Sequence, residues 1–391
     1  MTRRALKRLL WILAGVAVLY AFLTTFVAQV RYVDSSSMEP TIFGSEENGE
    51  SVLVSLDGDL PERFDIVVLH SPDTGLIVKR VWGLPGEEVA IRNGDFFVED
   101  SFLPSDAERP PLITVFDERW HELDRYFVVE DTVWSKDGDH WVVAAESVEP
   151  RSEAGTIFLH KKVRDSYLDR DQRSIEGTRV VNDLEVRLEL RFEEWIPNSA
   201  FQIDLREWGD SFEAVIEPLD EERCRLSIYR DNSELRRELL ARREVSMAAR
   251  EWHSFDFSNV DNQLRATIDR GSPEAQTLEA DYDTNVFDPF DDRHLGKTLA
   301  HQVQLGACLT RAHVRGVELR RDYFFTPRGK HAVATPELLQ SDQLFVLGDN
   351  SSRSRDSREY GPIQLGNLYG RALRVVWPIS SWRTLEPLEG R

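Results

Sequence analysis

IVKRVWGLPGEEV, Ile77 to Val89, decides how this chain is read. Its β-branched and aromatic residues suit a strand, and Leu84-Pro85-Gly86 closes the run as a tight turn. On a strand, Ile77, Lys79 and Val81 share one face and Val78 and Arg80 the other. If Ile77 and Val81 face inward, Lys79 is drawn into apolar surroundings, where an amine gives up its proton more readily. Arg80 then points the opposite way and needs a partner of its own. A strand lysine more often serves solubility at an edge, so this position alone leaves both readings open.

The same style extends on either side. From Glu50 to Glu99, the runs SVLVSL, FDIVVLH, LIVKRVWG and EEVAIRNGDFFVED alternate with turn signals. Asn93-Gly94 reads as a two-residue hairpin turn. From about residue 104 to 321 the character changes to tryptophans, acids and short strand-like runs at regular spacing, among them DLEVRLELRF, AFQIDLREW, FEAVIEP and CRLSIYR. That pattern predicts a β-sandwich. SELRRELLARREVSMAAR is charge-rich and reads equally as an exposed helix or a long strand pair. After Asp322 the first style returns, in QLFVLGDNSSRSRDSREYGPI and LYGRALRVVWPI. The expected fold is mainly β, with one β domain, residues 31–103 and 322–391, interrupted by a second at 104–321.

Leu9 to Val30 contains no charged residue. At about 1.5 Å per residue, such a run reaches about 33 Å, close to a bilayer core of about 30 Å. Arg3, Arg4, Lys7 and Arg8 precede it and Arg31 follows, which favours a cytoplasmic N-terminus. The run is longer than the apolar part of a cleaved signal, so residues 1–30 are expected to form a cytoplasmic stub and a transmembrane anchor. The chain would be a single-pass protein of the cytoplasmic membrane, with the rest outside.

The 391 residues carry 69 acidic and 48 basic side chains, a net charge of -21. No basic face for phosphate contact is evident, which argues against a nucleic-acid partner. Two cysteines, Cys224 and Cys308, are too few for a disulfide framework or a thiolate zinc site. Whether they pair is left open.

Four segments carry the chemistry: VDSSSMEPTI, Val33 to Ile42; RFDIVVLH, Arg63 to His70; IVKRVWGLPGEEV; and FVLGDNSSRSRDSREYGPI, Phe345 to Ile363. Their types and order, behind an N-terminal apolar run, resemble the type I signal peptidases, the membrane-anchored serine–lysine endopeptidases. A serine hydroxyl is a poor nucleophile without a base, and a lysine can be that base only when its pKa falls towards neutrality. The resemblance makes Ser37 the nucleophile and Lys79 the general base. It puts the Ser37 backbone N–H and the Ser35 hydroxyl in the oxyanion hole. It gives Ser354 the orienting of the lysine amine and pairs Asp349 with Arg80 and Asp356 with Arg358. Val33, Met38, Ile42 and Val78 match pocket-lining positions, although ordinary core packing explains them equally well.

The resemblance further implies signal peptides of exported preproteins as substrates, cut after small residues outside the membrane. It implies contact with membrane lipid, the secretion translocon as a further candidate partner, and no metal or organic cofactor. The Asp- and Asn-rich loop near Asp349 could hold a Ca²⁺ ion, but its arginines argue against one. Two positions depart from the family's habit: Phe64 stands where glycine is common, and Asp34 where proline often sits. The insertion, WHSFDFSNVDNQLRATIDRG above all, resembles concanavalin- or laminin-G-like sandwiches, and its ligand is not given by the sequence. One alternative is a membrane-anchored glycan- or protein-binding module on an inactive peptidase scaffold. Another is a self-cleaving serine–lysine enzyme of the repressor-protease type.

Overall fold

The computed structural model describes residues 11, 28–71, 75–103, 109–128, 133–145, 155–193, 196, 198–207, 210–232, 237–282 and 301–385. They divide into two compact units. Unit 1 comprises Met1–Arg92, Phe96–Pro111 and Phe325–Arg391; unit 2 comprises Asn93–Asp95 and Leu112–Phe324.

Unit 1 is built on an antiparallel sheet of eight strands. Its order is Ala28–Tyr32, Ser51–Ser55, Leu368–Trp377, Ile66–Ser71, Gly75–Gly83, Gln343–Leu347 and Ile363–Gln364, with Arg383–Thr384 also pairing with Leu368–Trp377. The central strands are Val- and Ile-rich because both faces are covered. Val52, Val54, Ile66, Val68 and Val375 pack in one cluster, and Val67, Leu69, Val81, Leu344 and Val346 in another. This places strand Gly75–Gly83 between two neighbours drawn from opposite ends of the sequence. Its first half pairs with Ile66–Ser71, with Lys79 opposite Val67. On its other side only Arg80, Val81 and Gly83 pair, with Leu347, Val346 and Phe345. Gly75 to Lys79 therefore present a second edge without a strand partner among the described residues.

Turn chemistry explains the corners. Gly86 takes φ 88° in the turn whose Glu87 N–H donates to Leu84 O. Asn93 and Gly94, at φ 54° and 109°, join strands Glu88–Arg92 and Asp95–Val98.

Unit 2 is a two-sheet sandwich. One sheet has eight strands, including Leu184–Phe192, His253–Val260, Gln263–Ile268 and Thr310–Arg321. The other has seven, including Ala200–Glu207, Asp210–Pro218, Arg223–Asn232 and Val303–Cys308. Leu184–Phe192 buries every second residue, the period-2 pattern of a strand with one dry face. From that face Val186 and Leu188 join Phe201, Ile203, Phe212, Phe255 and Leu305 in the shared core. The charge-rich segment is a strand, Glu238–Ser246, at the edge of the seven-stranded sheet. Its exposed Glu and Arg side chains discourage pairing with another chain. Asp261 and Asn262 turn the hairpin before Gln263–Ile268, both at positive φ. Cys224 and Cys308 are buried and are not joined in a disulfide.

The expected membrane span, Leu9 to Val30, lies outside the described residues except for Trp11 and its last three positions. Those three correct the expectation. Ala28, Gln29 and Val30 are strand, paired with Ser55, Val54 and Leu53, so the sheet takes them from any helix. Among the described residues no helix is long and apolar enough to cross a membrane.

Candidate active site

Ser36–Met38 forms a single 3-10 turn shortly after the first strand of unit 1. The turn buries Ser37 and Met38, whereas Ser35 stays exposed. Ser35 Oγ stands 3.3 Å from Ser37 Oγ. Lys79 is 3% exposed, and its Nζ donates to Ser37 Oγ at 2.8 Å and to Val78 O at 2.9 Å. Burial pushes the Lys79 amine down to about 8; Asp356 and Asp349 pull it back up, and Arg358 adds to the lowering. An amine of that basicity, bonded to a hydroxyl, can accept the hydroxyl's proton at mildly alkaline pH.

Both faces of strand Gly75–Gly83 are covered, so Arg80 is buried as well, at 3% exposed. Its guanidinium grips Asp349 with two bonds, Nε to Oδ1 at 2.9 Å and Nη2 to Oδ2 at 2.6 Å. Nη1 donates to Phe64 O at 2.9 Å. Phe64 presents that carbonyl from φ 72°, a left-handed conformation that glycine adopts freely and phenylalanine rarely. Its ring stands edge-on to Trp82, with centroids 5.2 Å apart.

The loop after Gln343–Leu347 closes the site. Asn350 N–H donates to Ser37 O at 3.0 Å. A Cβ on Gly348 would come within 2.2 Å of Ser354 Oγ and 2.5 Å of Ser37 O, so only glycine permits this approach. Asp356 holds Arg358 through Nε at 2.8 Å and Nη2 at 2.8 Å, and also accepts from Gly348 N–H at 3.1 Å. Arg358, 1% exposed, donates further to Ser351 and Thr326. Two buried cations are thus neutralised by two buried carboxylates, which keeps the field around Lys79 from settling on either charge.

Sequence reasoning missed Thr41, which donates to Asp349 Oδ2, and Thr326 and Ser351, which enclose Arg358. Thr41 and Thr326 carry no local signal, because their partners lie 308 and 32 residues away, and Ser351 reads as one more polar residue of its loop. Ser354 stands differently from its assigned task. Its Oγ is buried without a hydrogen-bond partner among the described residues, and Lys79 donates to Ser37 and Val78 instead. Val33 and Val78 line an open cleft of about 570 Å³ that reaches Ser37 and Lys79. Met38 and Ile42 are fully buried in the same apolar cluster, so they back the cleft wall. The cleft runs along Leu76, Ile77 and Val78, the strand segment with the open edge. An extended peptide can add there as a further strand and bring a carbonyl to Ser37.

The family profile described as signal peptidase, peptidase S26, matches residues 6–154 and 297–377, more than half of the chain. The chain belongs to that family. Among curated proteins, a probable signal peptidase I-2 of Synechocystis sp. is 33% identical over 116 residues, 27% of this chain and 52% of that one. Signal peptidase I P of Bacillus subtilis subsp. natto is 38% identical over 85 residues, 21% of this chain and 45% of its own. Mitochondrial inner membrane protease subunit 2 of Danio rerio is 43% identical over 44 residues, 11% and 24%. The chain spans about half, or less, of the length of these curated relatives. A solved carbohydrate binding module, CBM66 from Bacillus subtilis, overlaps 50% of this chain and 94% of its own at TM-score 0.32 and 7% identity. That likeness is too slight to bear on the insertion, whose sandwich is read from its own strands.

One group of carboxylates among the described residues is close enough to hold a cation. Asp95, Asp183 and Asp261 of unit 2 bring an oxygen each within 4.8 Å of one another. Burial and the surrounding acids hold the Asp183 carboxyl well above the usual range. No other feature there points to a ligand.

Proposed function

We propose that this member of peptidase family S26 is a signal peptidase I, a serine endopeptidase that removes signal peptides from exported preproteins. The 2.8 Å contact between Lys79 Nζ and Ser37 Oγ, buried and with the amine lowered to about 8, carries this reading. Lys79 takes the hydroxyl proton as Ser37 Oγ attacks the substrate carbonyl, and a tetrahedral oxyanion forms. The Ser35 hydroxyl and the Ser37 N–H are the donors for that oxyanion. Lys79 then gives its proton to the leaving amine, and the resulting acyl-enzyme is hydrolysed by water with Lys79 again as base. Asp349 with Arg80, and Asp356 with Arg358, hold the loop and strand in register. The Lys79 amine is positioned by Ser37 Oγ and by the Val78 carbonyl rather than by Ser354. Shallow apolar walls at Val33 and Val78, backed by Met38 and Ile42, fit small side chains on the substrate.

The substrate arrives at a membrane surface in this reading, with the segment before Ala28 as single-pass anchor in the cytoplasmic membrane and the catalytic part outside. Trp377, Ile379 and Trp382 of unit 1 are all more than half exposed, and such side chains suit a lipid interface. The test is cleavage of a preprotein with an Ala-x-Ala site by the full chain, beside Ser37→Ala and Lys79→Ala. Cleavage that disappears in both variants supports the dyad; wild-type protein that leaves the preprotein intact in detergent and in lipid sinks it.

A further inference from the structure

In a chain with 69 acidic and 48 basic residues, the cleft at Ser37 has the opposite balance. Arg31, Arg353 and Arg355 line it, and Asp34 is the one carboxylate among its lining residues. Arg31 is engaged: it donates to Gln29 Oε1 at 2.6 Å, and its guanidinium lies 4.7 Å from the Tyr369 ring centre. Arg355 is engaged as well, with Glu359, but Arg353 differs. Arg353 makes no side-chain hydrogen bond or ion pair with a described residue. Arg355 approaches Glu359 at 3.5 Å and remains more than half exposed. Tyr360 lines the same cleft, and its buried hydroxyl has no hydrogen-bond partner among the described residues.

These three side chains leave one short segment, on both sides of Ser354, which lies against the nucleophile turn at Gly348. Two guanidiniums among the lining side chains bring positive charge to the cleft, the complement of a carboxylate. An extended peptide advances about 3.3 Å per residue, so the side chains within two positions of the scissile bond fall within about 7 Å of it.

We infer that this cleft selects substrates with an acidic residue within two positions of the cleaved bond, attracted by Arg353 and Arg355. This rests on the endopeptidase reading above. A solvent-reached ion pair contributes modestly, so the expected preference for Asp over Asn is about two- to fivefold in kcat/KM. It shrinks as salt rises, because the pair is screened.

The experiment uses the full chain in detergent and a set of Ala-x-Ala peptides. Each carries Asp, Asn or Lys at one position from two before to two after the cleavage point. Wild type is expected to favour Asp over Asn over Lys at one of these positions, at low salt. Arg353→Glu with Arg355→Glu is expected to reverse that order, with Lys above Asp. Each ratio is internal to one preparation, so a less active variant still gives an answer. Equal rates for Asp, Asn and Lys at every position, or a wild-type order that survives the charge reversal, overturn the inference. If wild type cleaves no peptide of the set, the endopeptidase reading itself fails; cleavage of the Asn peptides without a charge preference fails only the selectivity.

Discussion

Asn350 donates its backbone N–H to the carbonyl oxygen of Ser37 at 3.0 Å, tying the loop after strand Gln343–Leu347 to the turn Ser36–Met38. Gly348 makes this possible by leaving space that a Cβ would fill at 2.5 Å from the same oxygen. Gly348→Ala is expected to push the turn and loop apart. A displacement of about 1 Å at reacting groups costs about a hundredfold in rate. Cleavage kinetics of the variant, with circular dichroism to show a retained sheet, measure this; wild-type kcat would refute it.

In the proposed mechanism, proton acceptance by Lys79 sets the pH profile. With the amine at about 8, roughly a tenth of the molecules hold it neutral at pH 7 and most do at pH 9. The rate at saturating and at low substrate is expected to rise through about pH 8 and level off above it. A profile flat from pH 6 to 9 would count against Lys79 as base.

The same burial has a cost in stability. Lys79 is lowered in the fold from 10.5 to about 8, so folding disfavours the charged amine. The penalty is absent above about pH 10.5, grows as pH falls towards 8, and is full below that. At its full extent it is on the order of 3 kcal/mol. Lys79→Met is therefore expected to unfold at higher denaturant than wild type at pH 7, with the gap closing near pH 10.5. Urea titrations at the two pH values check it, and a gap independent of pH would contradict it.

Asp349→Asn leaves Arg80 buried without its carboxylate. Breaking such a pair from one side costs about 3–5 kcal/mol. Asp349 also raises the Lys79 amine, so its loss is expected to move the midpoint of the rate profile below about 8. Unfolding curves and pH–rate data read the two effects separately.

Phe64→Gly sets two effects against each other. Removing a side chain from φ 72° relieves about 1 kcal/mol of backbone strain. Losing a phenylalanine that is 2% exposed costs about 3–5 kcal/mol. Packing is expected to win, with a lower Tm; an unchanged or higher Tm would show the backbone term to dominate.

Much of this is legible in the sequence, for physical reasons that differ by element. Period-2 patterning announces Leu184–Phe192 as a strand, because one face is dry and one wet. It fails for Gly75–Gly83, where Lys79, Arg80 and Val81 are all buried and alternation no longer separates inside from outside. Asn93-Gly94 declares its turn through a local backbone demand. Ala28 to Val30 do not declare their strand, since three apolar or neutral residues ending an apolar run carry no sign of the partner at Leu53 to Ser55. The charged segment Glu238–Ser246 is ambiguous because an edge strand and an exposed helix both tolerate Glu and Arg. Thr41 and Thr326 are invisible, as each owes its place to partners far away in sequence.

Arg80 and Asp349 are 269 positions apart, with the whole sandwich encoded between them. A ribosome that has just finished Ser37 and Lys79 has produced a hydroxyl and an amine but not the loop that encloses them. While the insertion is being synthesised, the nascent chain holds half a site. In the proposed mechanism, Ser37 and Lys79 therefore gain the loop that supports them only after translation has passed Arg358.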